Sequence, residues 1–248
     1  MASNVNIKSL FEAGVHFGHK TSHWNPKMAK YIHSKRQESH IIDLAKTVEE
    51  LEVALRFLTR LTANSKQVLF VGTKKHTKDI VRETAIATKQ PYVTERWLGG
   101  VLTNVATITK QINKLKDLEK RMTSGDLEKR YSKLEVQRFQ EEIDDLNNKY
   151  GGIKELNGKP GALFITDVIG DTNAIKEANK LGIPVVAVVD TNADPSLVDY
   201  VIPGNDDAIK GIQLILGYVS SAISSGKASV KTVSGPKTIK ISAAKKEE

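Results

Sequence analysis

The stretch Tyr92-Val-Thr-Glu-Arg-Trp-Leu-Gly-Gly-Val-Leu-Thr-Asn104 separates two kinds of sequence. Upstream of it, short apolar runs alternate with helical patterns. Downstream lies a long polar segment of purely helical periodicity, and near Gly161 the alternation resumes. Gly99-Gly100 frees the backbone at this joint, because glycine reaches dihedrals closed to other residues. Arg96-Trp97 sets a cation beside a flat aromatic just ahead of it. The order predicts one globular body interrupted by one arm, with the arm leaving the body here.

Working back from the joint, Gln67-Val-Leu-Phe-Val71 is a continuous apolar run, as expected of a strand buried on both faces. Gly72-Thr-Lys-Lys75 follows, then a helix to about Lys89 and a short strand at Pro91-Tyr-Val-Thr94. Strand, crossover helix and strand imply parallel pairing through a right-handed connection. Residues 46–63 read as a helix with Val48, Leu51, Leu55, Leu58 and Leu61 on one stripe. Tyr31-Ile-His33 and His40-Ile-Ile-Asp43 read as short strands about a polar turn, and residues 9–19 begin as a short helix that breaks at its glycines.

Working forward, Val105, Ile108, Ile112, Leu115 and Met122 recur at heptad-like spacing, Ser124-Gly125-Asp126 is suited to reversing the chain, and Phe139, Ile143, Leu146 and Tyr150 form a matching stripe on the return. Two such helices of about twenty residues reach roughly 30 Å. Ala162-Leu-Phe-Ile165 and Pro184-Val-Val-Ala-Val-Val189 return to the sheet, with an edge strand at 198–202. Asn205-Asp206-Asp207 is read as opening the last helix, with a capping side chain and two anions near its positive end. Three parts are expected: an α/β body over 1–103 and 151–224, a coiled-coil hairpin over 104–150, and a disordered basic tail over 225–248.

Hydrophobic residues at 40% and charged residues at 27% fit a soluble globular chain. The absence of cysteine excludes disulfides and thiolate metal sites. No apolar run has membrane-spanning length, and the N-terminus lacks a signal pattern, so a cytoplasmic setting is the expectation. The net charge of +8 is unevenly spread: residues 1–100 hold 16 Lys and Arg against 9 Asp and Glu, whereas residues 151–200 hold 4 against 7. A basic leading segment points to a polyanionic partner.

Lys20-Thr-Ser-His-Trp-Asn-Pro-Lys-Met-Ala-Lys30 interleaves Trp24 with cations that suit phosphate, a pattern fitted to loop or single-stranded RNA, although a core role for Trp24 is equally open. Gly72-Thr73-Lys74-Lys75 follows a strand and precedes a helix, where α/β folds meet phosphates, but it lacks the spacing of a Walker loop. His16, His19 and His23 are zinc candidates for which no fourth ligand is visible locally. Asp190, Asp194, Asp199, Asp206 and Asp207 crowd the ends of the late strands, where turn formation and capping are favoured over magnesium binding or acid–base work. No nucleophile with an adjacent base is legible.

Together, Gly14-Val-His-Phe-Gly-His19, Trp24-Asn-Pro-Lys-Met28, His40-Ile-Ile-Asp-Leu44, Val71-Gly-Thr-Lys-Lys75, Glu95-Arg-Trp-Leu-Gly-Gly100, Leu102-Thr-Asn104, Tyr150-Gly-Gly-Ile-Lys154, Ala178-Asn-Lys-Leu-Gly-Ile-Pro184, Val189-Asp-Thr-Asn192 and Ile202-Pro-Gly-Asn-Asp-Asp-Ala208 resemble the bacterial small-subunit ribosomal protein S-two family. The resemblance implies a flavodoxin-like parallel sheet with helices on both faces and a projecting antiparallel coiled-coil insertion. It implies a structural, non-enzymatic component of the small subunit that sits near the junction of head and body. Its implied partners are small-subunit ribosomal RNA, neighbouring ribosomal proteins and ribosomal protein S-one; no membrane, no small-molecule substrate and no cofactor is expected, a structural metal at the histidines named above aside. This chain departs from the family at Ser22-His23, where arginine is usual, and at Lys133-Leu134, where the family pairs lysines. The expected RNA contacts are Lys20, Trp24, Lys27, Lys30, Lys35, Arg36, Lys74, Lys75 and Arg96 on the body, with Arg121, Lys129 and Arg130 on the arm.

Overall fold

The computed structural model describes residues 5–233. In chain order, α1 (Ile7–Glu12) leads into β1 (Phe17–Lys20), β2 (Ile32–Arg36) and β3 (Ser39–Ile42), which form a small antiparallel sheet in the order β1-β3-β2. Helix α2 (Leu44–Ala63) then begins a doubly wound unit: β4 (Val68–Val71), α3 (Lys78–Ala87), β5 (Tyr92–Val93), β6 (Ala162–Ile165), α7 (Thr172–Lys180), β7 (Val185–Val189), β8 (Tyr200–Pro203) and α8 (Ile209–Val233). Between β5 and β6 come α4 (Val105–Thr123), α5 (Asp126–Arg130) and α6 (Lys133–Tyr150). The five parallel strands run β5-β4-β6-β7-β8, the flavodoxin-like order, with its topological switch between β4 and β6.

The apolar runs form central strands because both faces of each are covered. Alternate residues point to opposite faces. Val68, Phe70, Ala162, Phe164, Val186 and Val188 meet α2, α3 and α8 on one side. Leu69, Val71, Leu163, Ile165, Val185, Ala187 and Val189 meet α7 and the joint on the other. The register places Phe70 beside Phe164 and Phe164 beside Val186, so the pleats of neighbouring strands agree. The expected stripe on α2 is buried at Leu51, Leu55, Leu58 and Leu61.

Helices α4 and α6 pack on each other through Leu115, Leu118, Ile143 and Leu146, a cluster separate from both faces of the sheet. An ion pair joins Lys114 to Glu142, and Lys154 reaches Glu119 at 2.6 Å. The reversal begins at Gly125, whose φ of +68° is a left-handed conformation suited to glycine. It continues through α5, which the periodicity did not foretell, to a capping box in which Glu135 accepts from the Ser132 amide at 2.9 Å.

Two expectations are corrected. Residues 225–233 belong to α8, not to a disordered tail. They are held because Gly226 lies so close to Thr62 and the Thr59 carbonyl that a Cβ there would overlap both, while Lys227 Nζ donates to the Thr88 carbonyl at 2.6 Å. The rest of the expected tail, 234–248, lies outside the described residues. Asp206 and Asp207 do not cap α8, which begins at Ile209; they turn back toward the strand ends.

Candidate nucleic-acid interface

The antiparallel sheet sits at the C-terminal end of the parallel one. The His19 amide donates to Thr191 Oγ1 at 2.9 Å, the Asn25 amide to the Thr191 carbonyl at 2.7 Å, and the Asn205 amide to the Val15 carbonyl at 3.0 Å. The β2–β3 turn closes on Gln37 and Glu38, with φ of 45° and 64°, the left-handed pair that a tight hairpin requires. Register then sorts the basic residues by face. Lys20 and Arg36 both stand opposite Ser39. They therefore share one face, two strand spacings or about 10 Å apart. Lys35 stands opposite His40 on the other face, where the Trp24 ring lies 5.0 Å from the His40 ring at 45°. Burial lowers the His40 pKa, with the Lys35 charge adding to the effect. Trp24 remains 37% exposed, so it is not a core plug. Lys30 lies over the Tyr31 ring at 4.6 Å. Lys20, Lys30, Lys35, Arg36, Lys75, Arg96 and Lys129 are all exposed.

Other expected contacts are turned to different work. Lys27 Nζ lies 2.7 Å from Asp194 and 2.8 Å from Ser196 Oγ, and with Ser196 it lowers the Asp194 pKa to about 2. On the arm, Arg121 lies 3.5 Å and Arg130 2.9 Å from Asp126. Lys74 is drawn inward: its Nζ lies 2.6 Å from Asp207, 3.0 Å from Asp206 and 3.9 Å from Asp167. Burial would lower its pKa, but the carboxylates outweigh burial and the net shift is upward. The amide and hydroxyl of Thr73 are taken by Asp171, at 3.4 and 2.9 Å. The turn after β4, where a phosphate was expected, is therefore filled by the chain's own acids.

These acids share a crowded setting. Burial, with the Asp190 charge, pushes Asp206 up to about 7 despite Lys74. Burial pushes Asp171 up to about 6, with the Thr73 bonds opposing. His19 is raised chiefly by its bond to Asp190, at 3.1 Å, while Nε2 faces Asp207 at 3.5 Å. Of the three zinc candidates, only His19 meets carboxylates in a metal-like arrangement. Its ring nitrogen and oxygens of Asp206 and Asp207 lie within 4.8 Å of one another. A cation at that point would displace Lys74, the present counterion. His16 is stacked on Phe11 at 4.3 Å and against Phe17 at 4.0 Å, and His23 is exposed.

An exposed basic antiparallel sheet is thus set on a flavodoxin-like body, beside a switch point occupied by Lys74 and its carboxylates. A family profile described as ribosomal protein S2 matches residues 10–226. The chain belongs to the ribosomal protein S2 family. The small ribosomal subunit protein uS2 of Marinobacter nauticus is 50% identical over 218 residues, covering 88% of this chain and 87% of its own. The protein of that name from Hahella chejuensis is 50% identical over 227 residues, covering 92% and 89%.

In this S2-family chain, Asp206 stands among the acids at the late strand ends, as expected, but it meets Lys74 instead of capping α8. Glu177, unremarked on α7, binds the joint itself. Its only local sign is an acid three residues after Ala174, at the margin of a stripe that buries Ala174, Ile175 and Ala178. No helix among the described residues is long and apolar enough to cross a membrane.

Proposed function

We propose that the protein is a structural constituent of the small ribosomal subunit in the cytoplasm. It binds small-subunit ribosomal RNA through its antiparallel sheet and its helical arm, and it helps to dock ribosomal protein S-one. The carrying observation is 50% identity over about nine-tenths of the chain to relatives named as small-subunit proteins. The role is structural rather than enzymatic, a reading supported by the family and by the small-subunit naming of the relatives.

Lys20, Lys30, Lys35, Arg36, Lys75 and Arg96 supply the phosphate contacts of the body, Trp24 offers a partly exposed stacking surface, and Lys129 extends the contact along the arm. RNA shape, more than base sequence, sets the selectivity. The exposed Phe11 and Phe17, which flank His16, give the body an apolar face suited to a protein neighbour such as S-one.

Tagged protein sedimented through a gradient should travel with small subunits; protein left at the top would refute the assignment. The six phosphate contacts of the body alone predict that log K for the ribosomal RNA fragment falls with log salt at a slope of about −4.2 to −5.4. A flat response would remove the electrostatic mechanism while leaving subunit membership intact.

A further inference from the structure

The joint between body and arm converges on one carboxylate of α7. Glu177 Oε1 accepts from Trp97 Nε1 at 3.0 Å and from the Gly100 amide at 2.8 Å. Oε2 accepts from the Leu102 and Thr103 amides at 3.1 and 3.2 Å and from Thr103 Oγ1 at 3.1 Å. All these donors belong to the short segment that ends two residues before α4. The segment is folded tightly on itself: Gly100 has φ +94°, a Cβ on it would meet Asn104 Cβ at 3.0 Å, and the Asn104 amide donates to the Gly100 carbonyl at 2.7 Å. Thr103 is thus the last point fixed to α7 before the arm departs.

Apart from the Lys154–Glu119 ion pair at 2.6 Å, the attachments at the arm's root are of a different kind. Ile108 and Ile112 of α4 and Tyr150 of α6 pack on the second face of the sheet, and the backbone at Gly152 lies directly against Tyr92. Apolar burial holds the root down but is non-directional, so it tolerates rotation of the helix pair about its base. A carboxylate that meets several oriented N–H groups at once does not, because each hydrogen bond weakens steeply off its axis. We propose that Glu177 is the positioning residue that sets the direction in which the helical arm leaves the body. The inference rests on the reading of the arm as a second RNA contact, since direction matters functionally only if the arm must meet a fixed site.

Glu177→Gln tests it, because the amide keeps the size of the side chain and confronts part of the donor set with another donor. The chain has no cysteine, so Ser124→Cys at the far end of α4 and Arg56→Cys on α2 accept spin labels without background. In the full-length protein with Glu177 intact, pulsed dipolar spectroscopy should give one narrow distance distribution. Glu177→Gln should broaden or shift it while the thermal melt stays cooperative. If the competent direction falls to a third or a tenth of the population, affinity for the ribosomal RNA fragment weakens by about threefold to tenfold. Trp97→Phe, which removes one donor and leaves a smaller aromatic ring in its place, should broaden the distribution less; it decides the matter if Glu177→Gln fails to fold. An unchanged narrow distribution in the folded variants overturns the proposal. A broadened distribution with unchanged RNA affinity keeps the latch and refutes the arm's role in RNA binding.

Discussion

Replacing Lys74 with methionine separates two readings of the turn after β4. If Lys74 is a phosphate ligand, the variant should lose RNA affinity and keep its stability. The geometry predicts the reverse. Lys74 is the lysine between Asp206, whose side chain is 5% exposed, and Asp207, whose side chain is 51% exposed. Removing one member of a fully buried ion pair costs about 3–5 kcal/mol. Because Asp207 is half in water and Lys74 is 25% exposed, the loss here should be smaller, about 2–3 kcal/mol at pH 8. The sign of the pH dependence follows from Asp206. Its folded pKa, near 7, is above the ordinary 3.8, so between these values the folded state holds a proton that the unfolded state has released. This group therefore makes stability fall as pH rises through that interval. Without Lys74 the Asp206 pKa climbs further, and the fall continues past pH 7. At pH 5 Asp206 is largely protonated in either protein, Asp207 loses Lys74 but keeps His19 at 3.5 Å and His76 at 3.9 Å, and Asp167 loses a contact of 3.9 Å, so the cost should be about 0–1 kcal/mol. Urea titrations at pH 5 and pH 8 measure both values. At pH 8 the melting temperature should drop by about 4–12 °C for a chain of this length. Equal losses at the two pH values, or a stable variant that binds RNA weakly, would refute the reasoning.

Three further outcomes follow from named contacts. Lys35→Gln with Arg36→Gln should leave the melt unchanged and reduce the salt slope of RNA binding by about 1.4–1.8, whereas Lys27→Gln, already committed to Asp194, should leave the slope unchanged; filter binding over a salt series checks both. Gly226→Val should destabilise by about 1–3 kcal/mol in urea, because the new side chain overlaps Thr62 and the Thr59 carbonyl. Excising residues 113–147 across a short Gly/Ser bridge removes the arm's own cluster but keeps Ile108, Ile112 and Tyr150 on the body; circular dichroism should show less helix with the cooperative melt retained, as proposed for an arm that is a separate unit.

The fold was legible where its cause is local. Continuous apolar runs at 67–71, 162–165 and 184–189 became central strands because helices cover both faces, and the α2 stripe was buried as its period required. The ends of helices were less legible. Residues 225–233 look like a polar tail by composition, yet they are helical because small residues let α8 approach α2 closely at Gly226. The turn former at 124–126 was seen, but α5 after it was not, since a five-residue helix carries no period to detect.

Charge was the least legible feature, for a physical reason. Hydrophobic period is written in neighbours, whereas an ion pair is settled by tertiary distance. Lys74 and Lys75 are adjacent and chemically alike, yet one is bound by acids more than 130 positions later and the other is exposed. Lys27 finds Asp194 at a separation of 167 residues, and Trp97 finds Glu177 at 80. The basic excess of the first hundred residues therefore overstates the charge offered to a partner, because the acidic excess of the later strands folds back onto part of it. What stays outward is the set the antiparallel sheet holds in register: Lys20 and Arg36 on one face, with Lys35 on the other beside Trp24, which packs on His40. Each row is fixed by strand pairing at a spacing no flexible tail would keep. Under the proposed function, selectivity for a folded RNA surface would belong to the small sheet and the direction of the arm; the acidic cluster beneath keeps that sheet seated through His19 and Thr191.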